Sequence, residues 1–181
     1  IRFKDHNGNK KIMNLNTLHS DPYLLDMIAY QIYQQEGFFA PKMELSELII
    51  NGEYNGTKLR LENIDENFLN RRQIPLGNIY REVTGAFLVT FYNWNKIHYK
   101  PAWEKQTLKK EDDFDDWLSF LENNSVESDE VFFRYIEKYL DIDSYLKWYA
   151  LTNLMGGTGY SDHNIFFMND FRYQKFQPIA Y

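Results

Sequence analysis

The sequence predicts an α+β domain, because extended and helical patterns occupy separate parts of one 181-residue chain. In the first half, apolar extended segments flank residues 51–56, which carry two Asn-Gly turn signals typical of an antiparallel hairpin. Between residues 112 and 155, apolar side chains recur every three or four positions, as on buried helix faces. We therefore expect a single domain with a smaller sheet-rich half over about residues 1–85 and a helical half over about residues 110–181.

Caps, periodicity and turn residues define the individual elements. Asp21-Pro22 predicts the start of a helix, since Asp caps helices and Pro suits the first helical position, and Gly37 predicts its end. The other predicted helices cover residues 65–71, 112–122, 128–139 and 141–155, and predicted strands cover residues 42–50, 58–64 and 78–83. A C-terminal hairpin is also predicted, with strands over residues 164–168 and 175–180 and a turn at Asn169-Asp170. Residues 85–110 are poorly periodic and receive no assignment.

Composition excludes several classes of function. The formal net charge of -6 argues against nucleic acid as the main partner, because phosphate backbones require clustered cations, and it would suit a basic substrate. The chain has no cysteine, so it forms neither disulfides nor thiolate metal sites. No apolar run reaches the length of a membrane span. The chain begins with Ile1 and stops within a predicted strand, so we expect a fragment of a longer protein.

A glycine-rich turn at residues 156–159 leads into Asp162, His163 and Asn164 and then into the apolar run of residues 165–168. Such a turn lets the backbone bend sharply and approach a ligand closely. Phosphoryl-transfer enzymes use a carboxylate to orient the attacking hydroxyl group and an amide oxygen to hold a metal ion. Asp162 and Asn164 are candidates for these two roles. The alternative is a surface turn in which Asp162 caps its own backbone and Asn164 starts a strand.

Four blocks of residues occur in order along nearly the whole chain. They are residues 11–16 with Asp21-Pro22, Glu36-Gly37 and Ala40-Pro41; residues 48–56 with Leu59, Leu61, Glu62, Ile64, Asp65, Phe68 and Leu69; Gly77-Asn78-Ile79-Tyr80; and residues 141–146 leading to Asp162-His163-Asn164. Together they resemble the CotH-type atypical protein kinases, a family named for a bacterial spore-coat protein. The second block is the most specific of the four.

The resemblance implies a compact, protein-kinase-like fold that uses ATP and Mg²⁺ or Mn²⁺ to phosphorylate Ser or Thr on a protein. The sheet-rich half would cover the nucleotide, and the helical half would carry the catalytic loop. A basic, Ser-rich protein is the substrate that the acidic charge of the chain favours. The resemblance also suggests a bacterial cell-surface, secreted or spore-coat location.

The resemblance further implies roles for individual residues. Asp162 matches the catalytic carboxylate, and Asn164 matches the metal-binding amide. Glu62 would be the acidic partner of a phosphate-contacting cation. Arg81 stands where the family often has Lys, and Lys58 is a second candidate for holding phosphate oxygens.

The chain departs from the family pattern at several positions. An Arg at position 81 keeps the charge of Lys but changes its geometry. Asp26 stands where the family helix usually carries a basic residue, and a single residue, His163, separates the predicted base from the predicted metal ligand. The family also expects an acidic metal ligand just after residues 176–181, where this chain stops. These departures favour an alternative, a non-catalytic kinase-like scaffold or surface-binding module.

The acidic run over residues 111–116 has two interpretations. The simpler one is the solvated start of a helix. The other is a docking site for the basic tail of a substrate.

Overall fold

A computed structural model describes most of the chain and shows an α+β fold with antiparallel sheets. The described residues are 2–4, 10–12, 14–17, 22–83, 102–108, 115–122, 128–155 and 165–181. The strands are β1 (Arg2–Lys4), β2 (Lys10–Ile12), β3 (Asn14–Thr17), β4 (Met43–Ile50), β5 (Glu53–Leu61), β6 (Ile79–Glu82), β7 (Trp103–Lys105), β8 (Phe166–Asp170) and β9 (Lys175–Ile179). The helices are α1 (Pro22–Gln35), α2 (Glu66–Arg71), α3 (Asp115–Glu122), α4 (Asp129–Tyr139) and α5 (Ile142–Leu154).

Within the described part of the chain, the strands form three sheets, β1-β2, β3-β5-β4 and β7-β6-β8-β9, and all paired strands are antiparallel. We call the last of these the central sheet. It joins β6, from the first half of the sequence, to β8 and β9 at the end of the sequence. This long-range pairing brings Ile79 and Tyr80 of the third block next to Met168 and Phe167 of the C-terminal hairpin.

The predicted hairpin of β4 and β5 is confirmed, but its turn is tighter than the sequence indicated. Ile50 pairs directly with Glu53, so the turn contains Asn51 and Gly52 alone, with φ of 52° and 86°. Two positive φ angles are typical of the type I′ turn, which matches the twist of antiparallel strands. The longer loop over residues 51–56 was therefore a wrong prediction.

The predicted turn of the C-terminal hairpin was also misplaced. Asn169 and Asp170 belong to β8, and residues 171–174 form the turn. The Asp170 carboxylate accepts hydrogen bonds from the backbone amide of Arg172 at 3.0 Å and from its Nη2 at 2.5 Å, which closes the turn. Gln174 completes it with a φ of 53°.

The two faces of the central sheet pack on different helices. Tyr80, Phe167 and Phe176 lie in the larger hydrophobic core, with residues of α3, α4 and α5. Ile79 and Phe166 lie in a second core, with residues of α2. Successive strand residues point to opposite faces, so β6 and β8 each supply both cores.

Polar side chains cap three helices where the sequence predicted helix starts. Asp65 accepts from the Asn67 amide at 2.8 Å at the start of α2. Ser128 caps α4 through the Val131 amide, and Asp141 caps α5 through an amide of its first turn. Each cap contributes about 1 kcal/mol to stability. None of the helices in the described ranges is long and apolar enough to cross a membrane.

β9 forms one edge of the central sheet, and two other segments hydrogen-bond to its outer side. The Asp141 amide donates to the Phe176 carbonyl at 2.8 Å, and the Ala180 amide donates to the Phe39 carbonyl at 3.0 Å. Pro178 lies between these two points and has no N–H group to donate. The edge is thus anchored to the start of α5 and to the segment that follows α1.

Candidate functional site

The residues around the start of β6 are fixed by close backbone packing. A Cβ atom on Gly77 would lie 2.6 Å from the backbone oxygen of Asn169, so no larger residue fits there without movement of β8. The Thr107 hydroxyl donates to the Gly77 carbonyl at 2.7 Å and accepts from the Ile79 amide at 2.9 Å. The glycine of the third block is therefore explained by its contact with β8.

Tyr80 faces the larger core, where its hydroxyl donates to the Asp116 carboxylate. Asn169 Nδ2 also donates to Asp116, at 3.4 Å. Burial raises the pKa of Tyr80, and the neighbouring carboxylate raises it further. Asp116 thus links α3 to the central sheet, and the prediction of a solvated acidic run is wrong at this residue. Residues 111–114 lie outside the described ranges.

Arg81 lies on the opposite face of β6 from Tyr80, paired in register with Phe166 of β8. Its guanidinium carbon is 5.6 Å from the centroid of the Phe166 ring. The Phe166 ring in turn contacts the Tyr181 ring at a centroid distance of 4.8 Å. The predicted phosphate-contacting cation therefore sits beside the Phe166 ring, which in turn packs on Tyr181.

Glu62 follows the last residue of β5, and its side chain is 8% exposed. Its carboxylate accepts from Arg72 Nη2 at 2.7 Å, from Arg71 Nε at 2.7 Å and from the Lys42 amide at 2.7 Å. Burial opposes ionisation of Glu62, but the hydrogen bonds from Arg72, the Lys42 amide and Arg71 outweigh it and hold its pKa below the usual value. Glu62 is ionised and tightly held.

Arg72 connects Glu62 to the second core. Its guanidinium donates to the Ala40 carbonyl at 2.6 Å and to the Phe68 carbonyl at 3.1 Å. The guanidinium carbon also lies 3.8 Å from the centroid of the Phe68 ring. The sequence did not single out Arg72, although a cation at the end of a predicted helix is favoured by the partial negative charge of the helix C-terminus.

The structure does not join Glu62 to the cations proposed from the sequence. The cation partners of Glu62 are Arg71 and Arg72, whereas Arg81 lies on the central sheet. Lys58 lies on β5, half-buried and opposite Ser46, and its ammonium group forms no ion pair with any described residue. Asp162 and Asn164, predicted as base and metal ligand, lie outside the described residues.

Across the described ranges, no group of three or more His, Asp or Glu side chains is placed to hold a metal ion. A cavity of about 190 Å³ lies between the end of α1, the start of α5 and β9. Glu62, Arg81 and Lys58 do not line it, so this cavity is separate from the predicted site.

The geometry defines an α+β domain with an anchored carboxylate after β5 and a cation beside the Phe166 ring on its central sheet. A family model described as CotH kinase protein matches residues 2–181 of this domain. The chain therefore belongs to the CotH kinase protein family.

A curated relative supports the same family. The chain is 28% identical over 152 residues to inner spore coat protein H of Bacillus subtilis (strain 168). The alignment covers 81% of this chain and 41% of that protein. The chain thus spans about two fifths of the length of the curated relative that it matches.

Proposed function

We propose that this chain carries the catalytic part of a protein kinase that uses ATP and a divalent metal to phosphorylate Ser or Thr on a protein. One observation carries the proposal: the match over residues 2–181 to a family described as a kinase. The packing of Arg81 on the central sheet supports it, because phosphoryl transfer depends on cations held in fixed positions.

The proposed site combines Arg81 with the segment before β8. Ile165 follows Asn164 in the sequence, and its carbonyl accepts a hydrogen bond at 2.9 Å from the amide of Glu82, the residue after Arg81. This contact supports a shared site for Arg81 and the Asp162-His163-Asn164 sequence. In this site the Asp162 carboxylate accepts a hydrogen bond from the substrate hydroxyl, and the Arg81 guanidinium binds phosphate oxygens.

The cations near Glu62 have different roles in the proposal. Arg72 is committed to Glu62 and to two backbone carbonyls, so it holds the fold together rather than binding phosphate. Arg71, whose side chain is 56% exposed, is the partner of Glu62 that a phosphate group can reach from solvent. Lys58 remains a second candidate, since its ammonium group forms no ion pair within the described part of the chain.

The metal ion would be Mg²⁺ or Mn²⁺, held by Asn164 and an additional acidic ligand. Such an ion neutralises negative charge on the phosphate oxygens. The described residues do not include a set of ligands for this ion. The proposal therefore assigns hydrogen bonding to the substrate hydroxyl, and binding of phosphate oxygens, to side chains.

The relative is named as an inner spore coat protein, and we propose a spore-coat location for this chain as well. Its substrate would then be a coat protein. A basic, Ser-rich sequence suits the formal net charge of -6, because opposite charge speeds the encounter of the two proteins.

The test is transfer of radiolabelled phosphate from ATP to a basic, Ser-rich peptide in the presence of Mg²⁺ or Mn²⁺. We expect Asp162→Asn to reduce the rate roughly 100-fold or more, because it removes the group that accepts the hydroxyl proton. Asp143→Asn, which changes an exposed carboxylate at the start of α5, is the matched control and should keep the full rate. Full activity of Asp162→Asn, with unchanged circular dichroism, would remove Asp162 from the mechanism.

The second candidate function is a non-catalytic scaffold with the same fold. It is favoured by one observation, that Glu62 is already saturated by Arg71, Arg72 and the Lys42 amide and so does not orient Arg81. A scaffold predicts no phosphate transfer by the unmodified protein in the same assay, with either metal.

A further inference from the structure

Strand β4 of the sheet β3-β5-β4 presents one edge that is not paired within the described part of the chain. The Glu62 amide donates to the Lys42 carbonyl at 2.9 Å, so the carbonyl of Lys42, the residue before β4, points towards the β5 side. Backbone groups of successive strand residues point to alternate sides, so those of Met43, Leu45 and Glu47 point away from β5. Among the described residues, no hydrogen bond joins these outward groups to another residue.

The side chains of this edge leave it accessible to another strand. Leu45 is 56% exposed, Glu47 is exposed, and residues 43–47 contain neither proline nor lysine, which often prevent pairing at sheet edges. The outer edge of β9 differs, because two segments hydrogen-bond to it and Pro178 lies between them. The regular part of β4 ends at Glu47, where the pairing with β5 shifts register. Residues 43–47 therefore form an open edge, which we call the β4 edge.

The two faces of the β4 edge carry different charge. On one face, Glu44 forms ion pairs with Lys42 and Arg60, so its charge is already neutralised. On the other face, Leu45 and Glu47 lie side by side, and the Glu47 carboxylate forms no ion pair with any described residue. A strand paired with this edge therefore meets an apolar side chain and an unpaired carboxylate on the same face.

This charge favours a basic strand over a second copy of β4. Opposite charges on neighbouring strands stabilise their pairing, and like charges directly opposite each other destabilise it. A second copy has the same formal net charge of -6 and the same acidic edge, whereas a basic segment brings Lys or Arg to Glu47. Alternate residues of an extended segment share a face, so cationic or apolar residues at every second position meet Leu45 and Glu47, and Ser residues between them lie on the face of Ser46.

We propose that the β4 edge binds an extended, basic, Ser-containing segment of the protein substrate as an added strand, an inference that rests on the proposed function. Backbone hydrogen bonds to Met43, Leu45 and Glu47 supply the affinity, and the cation beside Glu47 supplies the selectivity. Bound in this way, the substrate is held to the sheet-rich half of the domain while another of its residues reacts.

The binding test uses the full-length protein without nucleotide and a synthetic peptide in which Ser alternates with Lys and Val. Amide hydrogen exchange at Met43, Leu45 and Glu47, followed by nuclear magnetic resonance, should slow when the peptide is added. The same peptide with methyl groups on all its backbone nitrogens keeps the charge but loses the donors, and we expect it to bind roughly 10-fold or more weakly. Equal binding of the two peptides would overturn strand addition. Slowed exchange that depends on protein concentration and needs no peptide would show pairing with a second copy, and would also overturn the proposal.

Glu47→Lys tests the role of charge. It should weaken peptide binding roughly 3- to 10-fold, because it replaces an attractive pair by a repulsive one. In phosphate transfer to the same peptide it should raise KM by a similar factor and leave kcat unchanged. Glu137→Lys makes the same change of charge at an exposed position on α4, and this control should bind the peptide as the wild type does. Equal weakening by both variants would show attraction to net charge alone and would overturn the assignment to the β4 edge.

The two readouts separate this inference from the proposed function. Slowed exchange at the β4 edge, without phosphate transfer to the peptide, would contradict the proposed function and leave the edge established as a peptide-binding site. Phosphate transfer without slowed exchange would overturn the inference and leave the proposed function standing.

Discussion

The Glu62 carboxylate joins three parts of the chain through its contacts with Lys42, Arg71 and Arg72. Its side chain is almost fully buried, so loss of its charge would leave the Arg72 guanidinium without its main anion partner. An unpaired cation is costly even when partly buried, as Arg72 is with a 21% exposed side chain, because protein interiors solvate charge poorly. The stability of this region therefore depends on ionisation of Glu62.

Glu62→Gln is expected to lower the free energy of unfolding by about 2 kcal/mol at pH 7, as for loss of a charged, hydrogen-bonded acceptor. The folded-state pKa of Glu62 lies below its unfolded value, so its contribution is present above about pH 4.3 and is lost as pH falls through the folded-state pKa. Urea titrations of wild type and variant should therefore differ at pH 7 and converge in acid.

The control for this prediction is Glu130→Gln. Glu130 forms an exposed ion pair with Arg134 one turn away on α4, and such pairs contribute less than about 1 kcal/mol. A difference between wild type and Glu62→Gln that persists unchanged at pH 3 would show that the charge of Glu62 is not what stabilises the fold.

At the scale of elements, strand β6 is fixed on both sides by neighbours that are distant in sequence. Glycine at position 77 lets β8 approach closely, and Thr107 holds the backbone from the side of β7. The sequence shows Gly77 as a turn residue before a strand, but it does not show which strand lies against it. Long-range register of this kind is decided by packing and not by local pattern.

Gly77→Ala should destabilise the protein by about 1–3 kcal/mol, the usual cost of forcing an extra methyl group into a packed site. The added Cβ would meet a backbone oxygen on β8, which has no side-chain rotamer through which to move away. Thermal or urea denaturation of the purified variant gives the measurement.

Gly37→Ala is a comparison variant, in which the loss of stability has a different cause. Gly37 has open space around its Cα but a φ of 88°, so its loss carries backbone strain of about 1–2 kcal/mol without crowding. The added methyl group of Gly37→Ala meets no described atom within 4 Å, so its loss of stability comes from the backbone conformation alone. A Gly77→Ala protein as stable as the wild type would contradict the close approach of the two strands.

Capping residues in the sequence correctly predicted the helices that start at them. Asp65, Ser128 and Asp141 were recognised as helix starts, and each caps its helix. Strands β1 and β2 have three residues each, too few to show an alternating pattern, and β7 lies in the stretch that received no assignment. The contacts of charged residues were harder to predict from the sequence, because the partners of Asp116 and Glu62 belong to other elements.

At the scale of the whole molecule, Trp117 connects α3 to the central sheet. It is 1% exposed, and its ring lies 4.7 Å from Trp103 on β7, 4.9 Å from Phe167 on β8 and 4.8 Å from Phe176 on β9, measured between centroids. The ring of Tyr80 on β6 stacks on it at 5.6 Å. One side chain on α3 thus contacts every strand of the central sheet.

Trp117→Leu should lower the free energy of unfolding by about 3 kcal/mol, because it leaves a cavity and removes aromatic contacts. Loss of near-ultraviolet and far-ultraviolet circular dichroism should coincide on heating, since the helix and the sheet share this core. Phe133→Leu on the exposed side of α4 is the control, with little change expected. Separate transitions for the two signals would show that this core loses its side-chain packing before the secondary structure unfolds, and would contradict a single cooperative transition.

The closed outer edge of β9 also bears on how this protein behaves at high concentration. Asp141 and Phe39 bond to its two ends, and Pro178 stands between them. Free strand edges are templates for intermolecular β-pairing and fibril growth, and proline and covering segments block such pairing. Addition of a foreign strand at β9 is therefore blocked, so this edge is a poor starting point for aggregation.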